Sequence, residues 1–241
     1  MKNARVRLHV DQPLGEGQAV TVEGGAAHYL FGVMRLGPGD AVALFNGRDG
    51  EYAAEIRAAG KRRGVLACGQ QTRPVTLPPD LWLLFAPVKK ARTDMIVEKA
   101  VEMGARRIVP VRTDYTNAER FRHDKQQLRA IEAAEQCGAV FVPEVAPLEP
   151  LERVLADWPA GRSLWFADEV LAGPAPTAPR QGEGAGAILI GPEGGFSPAE
   201  RARLTALPHV TPISLGPRIL RAETAAIAAM ALWQAGPGDW A

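Results

Sequence analysis

The first part of the chain has the hydrophobic pattern of short β-strands. Residues 1–72 contain short apolar or alternating runs, separated by turn sequences at residues 37–40 and 46–50. Such runs predict strands, and the glycines between them supply the positive φ angles that tight turns need. Leu30, Val33 and Met34 share one helical face, which adds one or two helical turns. The pattern predicts a small, closed β-barrel domain over residues 1–72.

The pattern changes after a proline-rich linker at residues 73–80. From residue 81 onward, continuous apolar runs alternate with amphipathic helical segments. We expect the first of these helices to begin at Thr93 as its N-cap and to end at Gly104, and the last to span about residues 223–235. Strands that alternate with helices favour an open, mostly parallel α/β sheet over residues 81–241.

Composition narrows the possible functions. The chain is 46% hydrophobic and 23% charged, as in an ordinary globular protein. No apolar run approaches the roughly 20 residues of a membrane span, and the first residues lack a signal-peptide pattern, so we expect a cytoplasmic protein. The four histidines have no metal-ligand spacing, so we expect no metal.

The net charge of +1 is uninformative, but the basic residues cluster. Lys61, Arg62 and Arg63 form one cluster, and another includes Lys89. Such clusters could bind phosphates. For any one cluster, an ordinary solvated surface explains the sequence equally well.

The sequence GPEGGFSPAE, residues 191–200, follows an apolar strand and carries the first chemical signal. Its second half predicts a helix start, with Ser197 as N-cap, Pro198 at the first helical position and Glu200 completing a capping box. The glycines of the first half let a ligand approach the backbone. The lack of a Gly-Lys-Ser/Thr sequence and the presence of Glu193 argue against a phosphate. A ligand with hydroxyl, amine or cationic groups fits better, and a plain tight turn is the alternative.

The sequence SLGPRILRAETAAIAAM, residues 214–230, carries the second signal. Ile219 and Leu220 are apolar residues where a flat ring could be sandwiched, and Arg221 and Glu223 begin the last helix. These charged residues could hold an anionic oxygen and orient the group that binds it. A surface ion-pair cluster is the alternative, and such a cluster would contribute little stability.

These two sequences resemble the C-terminal signatures of the RsmE-type rRNA methyltransferases, a family of the SPOUT class. Three further blocks resemble the same family in the same order: residues 28–52, 88–113 and 133–145. The resemblance implies a SPOUT α/β fold with a trefoil knot and a mostly parallel sheet, preceded by a PUA-like β-barrel that binds RNA. Gly138-Ala139 and residues 113–121 depart from the family pattern, so no RNA contact is carried over from them.

The resemblance also implies an activity. Members are S-adenosylmethionine-dependent homodimers that methylate N3 of one uridine in the 16S rRNA of the small ribosomal subunit. Carried over to this chain, the cofactor pocket would be formed by Ile190, Gly191, Pro192, Glu193, Gly194, Leu215, Gly216, Ile219, Leu220, Arg221 and Ala222. This agrees with the ligand that the first loop favours, one without phosphate and with hydroxyl, amine or cationic groups.

We assign hypothetical roles to the charged residues of the two loops. Uridine N3 becomes nucleophilic when its proton leaves, so the enzyme needs a base or a stabiliser of the resulting anion. Arg221 would stabilise that anion, and Glu193 or Glu223 would act as a base or an orienting group. Candidate RNA contacts are Arg5, Arg35, Lys61, Arg62, Arg63 and Lys89.

Two other functions are weighed against this one. The first is a non-catalytic RNA-binding or ribosome-assembly factor on the same fold, which loop residues incompatible with the cofactor would favour. The second is a conventional nucleotide-binding enzyme, which the missing glycine fingerprint disfavours.

Overall fold

The protein was analysed as a computed structural model that describes residues 4, 6–117, 121–173 and 184–240. The chain forms two compact units. The first consists of Met1–Leu77 with Ala134–Val142, and the second consists of Pro78–Ala133 with Pro143–Ala241.

The first unit is built on a five-stranded sheet. Its strands are β1 (Arg7–His9), β2 (Ala19–Glu23), β3 (Ala41–Phe45), β4 (Glu51–Ala59) and β5 (Arg63–Arg73), in the order β1-β3-β4-β5-β2. A short helix α1 (Gly24–Ala27) continues into a π-helical turn (His28–Val33) at the predicted helical position. Its Leu30 is fully buried in the core of this unit, together with Leu44 and Ile56.

The sheet is a half-barrel, which corrects the expected closed barrel. β1 and β2 are the edge strands, and no strand pairing joins them within the described residues. The side chain of Gln12 takes the place of such pairing. Its amide donates to the Thr21 carbonyl at 2.7 Å and accepts from the Thr21 N–H at 3.1 Å. The peptide groups of one edge are thereby satisfied at that residue without a neighbouring strand.

Glu51 at the start of β4 is the centre of a buried charge cluster. Arg7 and Arg73 each approach its Oε2 within 2.7 Å, and Thr72 donates to Oε1 at 2.9 Å. Burial raises the pKa of Glu51, but the hydrogen bonds from Arg73, Arg7 and Thr72 outweigh it and lower the pKa to about 2. Arg7 also donates to the Ala134 carbonyl at 2.7 Å. This ion cluster therefore ties β1, β4 and β5 to the segment from Ala134.

The second unit is an all-parallel sheet, as the alternating pattern predicted. Its strand order is β12-β10-β11-β6-β7-β8, and β9 pairs with β7. The strands are β6 (Leu81–Phe85), β7 (Arg107–Arg112), β8 (Glu144–Val145), β9 (Glu149–Pro150), β10 (Ser163–Ala167), β11 (Gly186–Ile190) and β12 (Val210–Ile213). All five residues of β11 are buried, as expected for a strand with neighbours on both edges and both faces.

Helices connect these strands. They are α2 (Lys90–Glu102), α3 (His123–Cys137, whose residues from Ala134 belong to the first unit), α4 (Leu151–Ala156), a 3₁₀ turn (Glu169–Leu171), α5 (Pro198–Ala206) and α6 (Ala222–Gln234). α6 packs against α2 and β11. Among the described residues, no helix is both long enough and apolar enough to cross a membrane.

The N-cap expected at Thr93 is wrong. α2 begins at Lys90, with Lys89 as its N-cap residue. Thr93 is buried within the first turn, where its hydroxyl accepts from the Val88 N–H at 3.1 Å and donates to the Val88 carbonyl at 3.0 Å. The Thr93 hydroxyl thus satisfies the backbone hydrogen-bonding groups of Val88, which precedes the helix. The sequence spacing alone does not distinguish such a local bond from an N-cap.

Candidate functional site

A pocket lies at the carboxyl edge of the parallel sheet, where ligands of such folds bind. The adjacent strands β12, β10 and β11 all end there, and the loops that follow them surround about 610 Å³ of empty space, its open mouth included. The start of α6 completes the pocket. The lining residues are Ala167, Asp168, Glu169, Ala172, Ile190, Gly191, Pro192, Glu193, Gly195, Ile213, Leu215, Gly216, Arg218, Ile219, Leu220, Ala222 and Ala225.

The two loops singled out in the sequence meet in this pocket. Of the eleven residues proposed to hold a cofactor, nine line it: Ile190, Gly191, Pro192, Glu193, Leu215, Gly216, Ile219, Leu220 and Ala222. Gly194 and Arg221 are not among the lining residues. The side chain of Ile219 is an apolar group left 79% exposed at the pocket. An exposed isoleucine beside Leu220 is a suitable surface for a flat ring.

Sequence reasoning missed the third wall, which is the loop after β10. Its Asp168 is buried, caps the following turn through the Val170 N–H at 3.1 Å, and pairs with Arg201 at 3.0 Å. Arg201 also pairs with Glu169 at 2.9 Å. The acidic pair directly after an apolar strand was the available signal, since carboxyl ends of parallel strands meet at one edge.

Two positions of the first loop favour glycine for reasons unrelated to a ligand. Gly195 has a φ of 70°, and a Cβ there would lie 2.0 Å from Glu169 Oε1. A Cβ on Gly191 would lie 2.6 Å from the ring of Phe196, which is buried against Phe166. The buried Phe196 ring therefore restricts position 191 to glycine, and the positive φ favours glycine at position 195, even before any ligand approaches.

The capping box of α5 is confirmed. Ser197 is the N-cap, and its hydroxyl and the Glu200 carboxylate each accept from the other's backbone N–H, at 3.2 Å and 2.9 Å. Glu200 also accepts from the Asp114 N–H at 2.9 Å, and the Ser197 hydroxyl donates to the Asp114 carboxylate. These bonds fix the loop after β11 to the residues that follow β7.

Arg92 of α2 connects the two candidate catalytic glutamates. Its Nη1 forms an ion pair with Glu193, and its Nε lies 3.6 Å from Glu223 Oε1. Oε2 of Glu223 is buried and has no hydrogen-bond partner among the described residues. An acceptor without a partner is costly in the interior, so this oxygen is suited to receive a donor from a ligand.

Arg221, the third candidate catalytic residue, is exposed. It is the N-cap residue of α6 with extended backbone, and its side chain makes no capping hydrogen bond. Arg218, three residues earlier in the same loop, lines the pocket. The structure thus places one arginine at the pocket wall and the other outside it.

The candidate RNA contacts fall in both units. Arg5 lies outside the described residues. Arg35 is exposed with a φ of 55°, and residues 61–63 form the exposed connection and start of β5. Lys89 is exposed at the N-terminal end of α2, in the second unit.

The chemistry of the pocket fits a cofactor that combines an aromatic ring with polar groups. Three carboxylate residues and one arginine line it, beside several apolar side chains. Asp168 and Glu169 pair with Arg201, and Glu193 pairs with Arg92, so arginines balance the charge of this acidic lining. The apolar walls suit an aromatic ring, and the loop backbones offer hydrogen-bond donors and acceptors.

Comparison with known proteins identifies the family. Residues 76–234 match the model of the RNA methyltransferase domain, and residues 22–66 match that of the RNA methyltransferase PUA domain. The chain belongs to this family of RNA methyltransferases.

Relatives over the full length carry the same name. Ribosomal RNA small subunit methyltransferase E from Rickettsia conorii is 28% identical over 233 residues, covering 93% of each chain. The protein of that name from Bacillus subtilis is 28% identical over 241 residues, covering 91% of each chain.

Solved structures of methyltransferases also match the fold of this chain. Ribosomal RNA small subunit methyltransferase E from Neisseria gonorrhoeae, bound to S-adenosyl methionine, superposes with a TM-score of 0.88 at 26% identity, covering 98% of this chain and 99% of that one. A putative methyltransferase from Legionella pneumophila with bound S-adenosyl methionine gives a TM-score of 0.84 at 28% identity, covering 95% and 97%. These matches confirm the predicted fold class, a SPOUT α/β domain with an N-terminal PUA-like domain.

Proposed function

We propose that the protein is an S-adenosylmethionine-dependent methyltransferase that methylates N3 of one uridine in the 16S rRNA of the small ribosomal subunit. The observation that carries the proposal is the pocket itself: apolar walls and three carboxylate residues at the carboxyl edge of the parallel sheet. The names of the relatives and the cofactor in two of the solved neighbours support it.

The residues of this chain fit the cofactor by chemical type. Ile219 and Leu220 would contact its adenine ring, beside Ile190 at the end of β11 and Leu215 in the loop after β12. Glu193, Asp168 and Glu169 line the same pocket, each paired with an arginine, and would offer carboxylate oxygens to the polar groups of the cofactor. When bound, S-adenosylmethionine supplies an activated methyl group.

The chain must also prepare the uracil. N3 carries a proton and is a weak nucleophile, so a base or an anion-stabilising group is needed. Glu223 has a buried oxygen without a partner among the described residues, which suits it to accept a proton or orient a donor. Glu193 is a second candidate for the same role. Arg221, exposed at the start of α6, would stabilise the negative charge on O2 or O4 of the base.

The remaining parts of the proposal concern assembly and RNA binding. Residues 1–72 would form the RNA-binding domain, residues 73–80 the linker and residues 81–241 the methyltransferase domain. Arg35 and the 61–63 cluster would contribute contacts to structured RNA through its shape and phosphates. The active species would be a cytoplasmic homodimer that works without a metal.

Calorimetry with three ligands tests the cofactor part of the proposal. S-adenosylmethionine should bind the purified protein at one site per chain, whereas ATP and NAD should not bind. Binding of ATP or NAD in its place would favour a conventional nucleotide enzyme. RNA binding without any S-adenosylmethionine binding would favour the non-catalytic factor.

A further inference from the structure

A second cleft lies next to the pocket, and Pro192 and Glu193 line both. It is formed by the start of α2, the first turns of α3 and residues that follow β7. Two acidic and five basic side chains line the cleft among the described residues, the basic ones being Lys89, Lys90, Arg122, Lys125 and Arg129. Basic side chains therefore outnumber acidic ones in the lining of this cleft.

Two of these basic groups are available to a ligand. Lys90 pairs with Asp94 at 2.8 Å, and Gln126 donates to the same carboxylate at 2.7 Å, so Asp94 is already neutralised inside the cleft. Lys89 and Lys125 are exposed and form no ion pair with any described residue. Free ammonium groups in a concave surface attract phosphates, because their charge is not compensated by the protein.

An aromatic ring stands beside these lysines. Tyr115 is 43% exposed and lies against Gly194, where a Cβ would come within 3.4 Å of Tyr115 Cβ. Gly194 directly follows Glu193, so the ring is next to the residue that the cleft and the pocket share. Ammonium groups that follow a backbone, combined with an exposed aromatic face, are the features with which proteins bind single-stranded nucleic acid.

We propose that this cleft binds a single-stranded segment of the substrate RNA, with Lys89 and Lys125 on its phosphates and Tyr115 stacked on a base. The strand would then lead past Glu193 to the pocket, which places an unpaired base at the boundary between them. The identity of the RNA as substrate rests on the proposed function. The charge of the cleft and its exposed aromatic ring are independent of the proposed function.

The test uses the full-length protein and a 16S rRNA transcript, with affinity measured at several salt concentrations. For single strands the slope of log affinity against log salt is about −0.7 per phosphate contact. The double variant Lys89→Ala/Lys125→Ala should therefore flatten the slope by about 1.4. Tyr115→Ala should weaken binding roughly 5- to 150-fold, while Tyr115→Phe should bind as the unaltered protein does.

A control with the same loss of charge separates this cleft from general electrostatics. Lys99 pairs with Glu98 and Glu102, and Arg153 is exposed on α4; neither lines the cleft. Lys99→Ala/Arg153→Ala should leave the slope unchanged. Equal slopes in both double variants, or equal affinity of Tyr115→Ala and Tyr115→Phe, would overturn the proposal.

Two further measurements on the same variants keep this proposal distinct from the proposed function. Affinity for S-adenosylmethionine should be unchanged in Lys89→Ala/Lys125→Ala, and its loss would show that the cleft belongs to the cofactor site instead. If the unaltered protein binds the transcript with the expected slopes but transfers no methyl group, the proposed function fails and the cleft assignment stands. If the unaltered protein methylates rRNA but the cleft variants bind the transcript normally, the proposed function stands and the cleft assignment fails.

Discussion

The Nε atom of Arg92 lies 3.6 Å from Oε1 of Glu223. The same guanidinium pairs with Glu193 through Nη1, so one side chain of α2 joins both loops that carry the candidate catalytic carboxylates. The Glu223 side chain is only 13% exposed. Arg92 therefore balances the negative charge of a largely buried carboxylate and links α2 to the start of α6.

Replacing Arg92 by methionine should destabilise the protein. The change leaves Glu223 partly buried without its cationic partner, and we expect the free energy of unfolding to fall by about 2 kcal/mol. Urea unfolding at neutral pH measures this. The double variant Arg92→Met/Glu223→Gln removes the stranded charge and should recover part of the loss. Strictly additive losses in the two single variants and the double variant would contradict the coupling.

Arg218 and Arg221 should affect different kinetic constants. Arg218 lines the pocket, so Arg218→Ala should weaken S-adenosylmethionine binding. Arg221 is exposed outside it, so Arg221→Ala should abolish methyl transfer while cofactor affinity stays nearly intact. Calorimetry for the cofactor and single-turnover methylation of rRNA separate the two effects. Turnover of Arg221→Ala at the rate of the unaltered protein would eliminate Arg221 from the chemistry.

Glu51 should contribute stability that disappears in acid. Its pKa is about 2 in the folded protein and 4.5 as the ordinary value. Because the folded pKa is lowered, the stabilisation is fully present above the ordinary pKa and is lost as the pH falls toward 2. A shift of this size corresponds to about 3 kcal/mol.

The variant Glu51→Gln isolates this contribution. Its unfolding free energy should be lower than that of the unaltered protein at pH 7, and the difference should shrink as the pH approaches 3. Glu55→Gln on the same strand is the control, since Glu55 forms an exposed pair with Arg57 at 2.8 Å. That variant should change stability little at any pH. A Glu51→Gln difference independent of pH would show that packing, not charge, is involved.

We expect Arg35 to lower the stability of the folded protein and to strengthen its binding to RNA. It has a φ of 55°, and the Leu36 N–H reaches back to the Leu30 carbonyl at 3.0 Å, as at a helix end where glycine is preferred. Arg35→Gly should stabilise the protein by up to about 1 kcal/mol. It should also weaken binding to 16S rRNA. Arg35→Lys is the control, because it keeps the positive charge. If Arg35→Gly binds RNA as tightly as the unaltered protein, Arg35 does not contribute to RNA binding.

Local sequence signals predicted local structure well. The capping box at Ser197 and Glu200 depends on two residues three positions apart, and both bonds are present. The two pocket loops were found because each has an unusual composition and directly follows an apolar strand. The start of α2 was misplaced because a threonine near a helix terminus can bond to the preceding backbone instead of capping the helix.

Long-range relationships were less accessible. The third wall, at Asp168, became part of the pocket because β10 lies between β12 and β11, an order that periodicity does not encode. Arg92 meets Glu193 across 101 residues of chain, and no spacing rule links them. The open edge of the first sheet depends on one glutamine side chain bonded to Thr21. The knotted topology came only from family resemblance, since threaded chains are rare.

Mass mapping of 16S rRNA tests whether the protein methylates N3 of one uridine. Small subunits from a strain lacking this gene would be incubated with the purified protein and S-adenosylmethionine, and the rRNA fragments then analysed by mass spectrometry. We expect one added methyl group, on N3 of a single uridine that is unmethylated in the deletion strain. No methyl transfer, or a methyl group on another atom or another base, would contradict the proposed function.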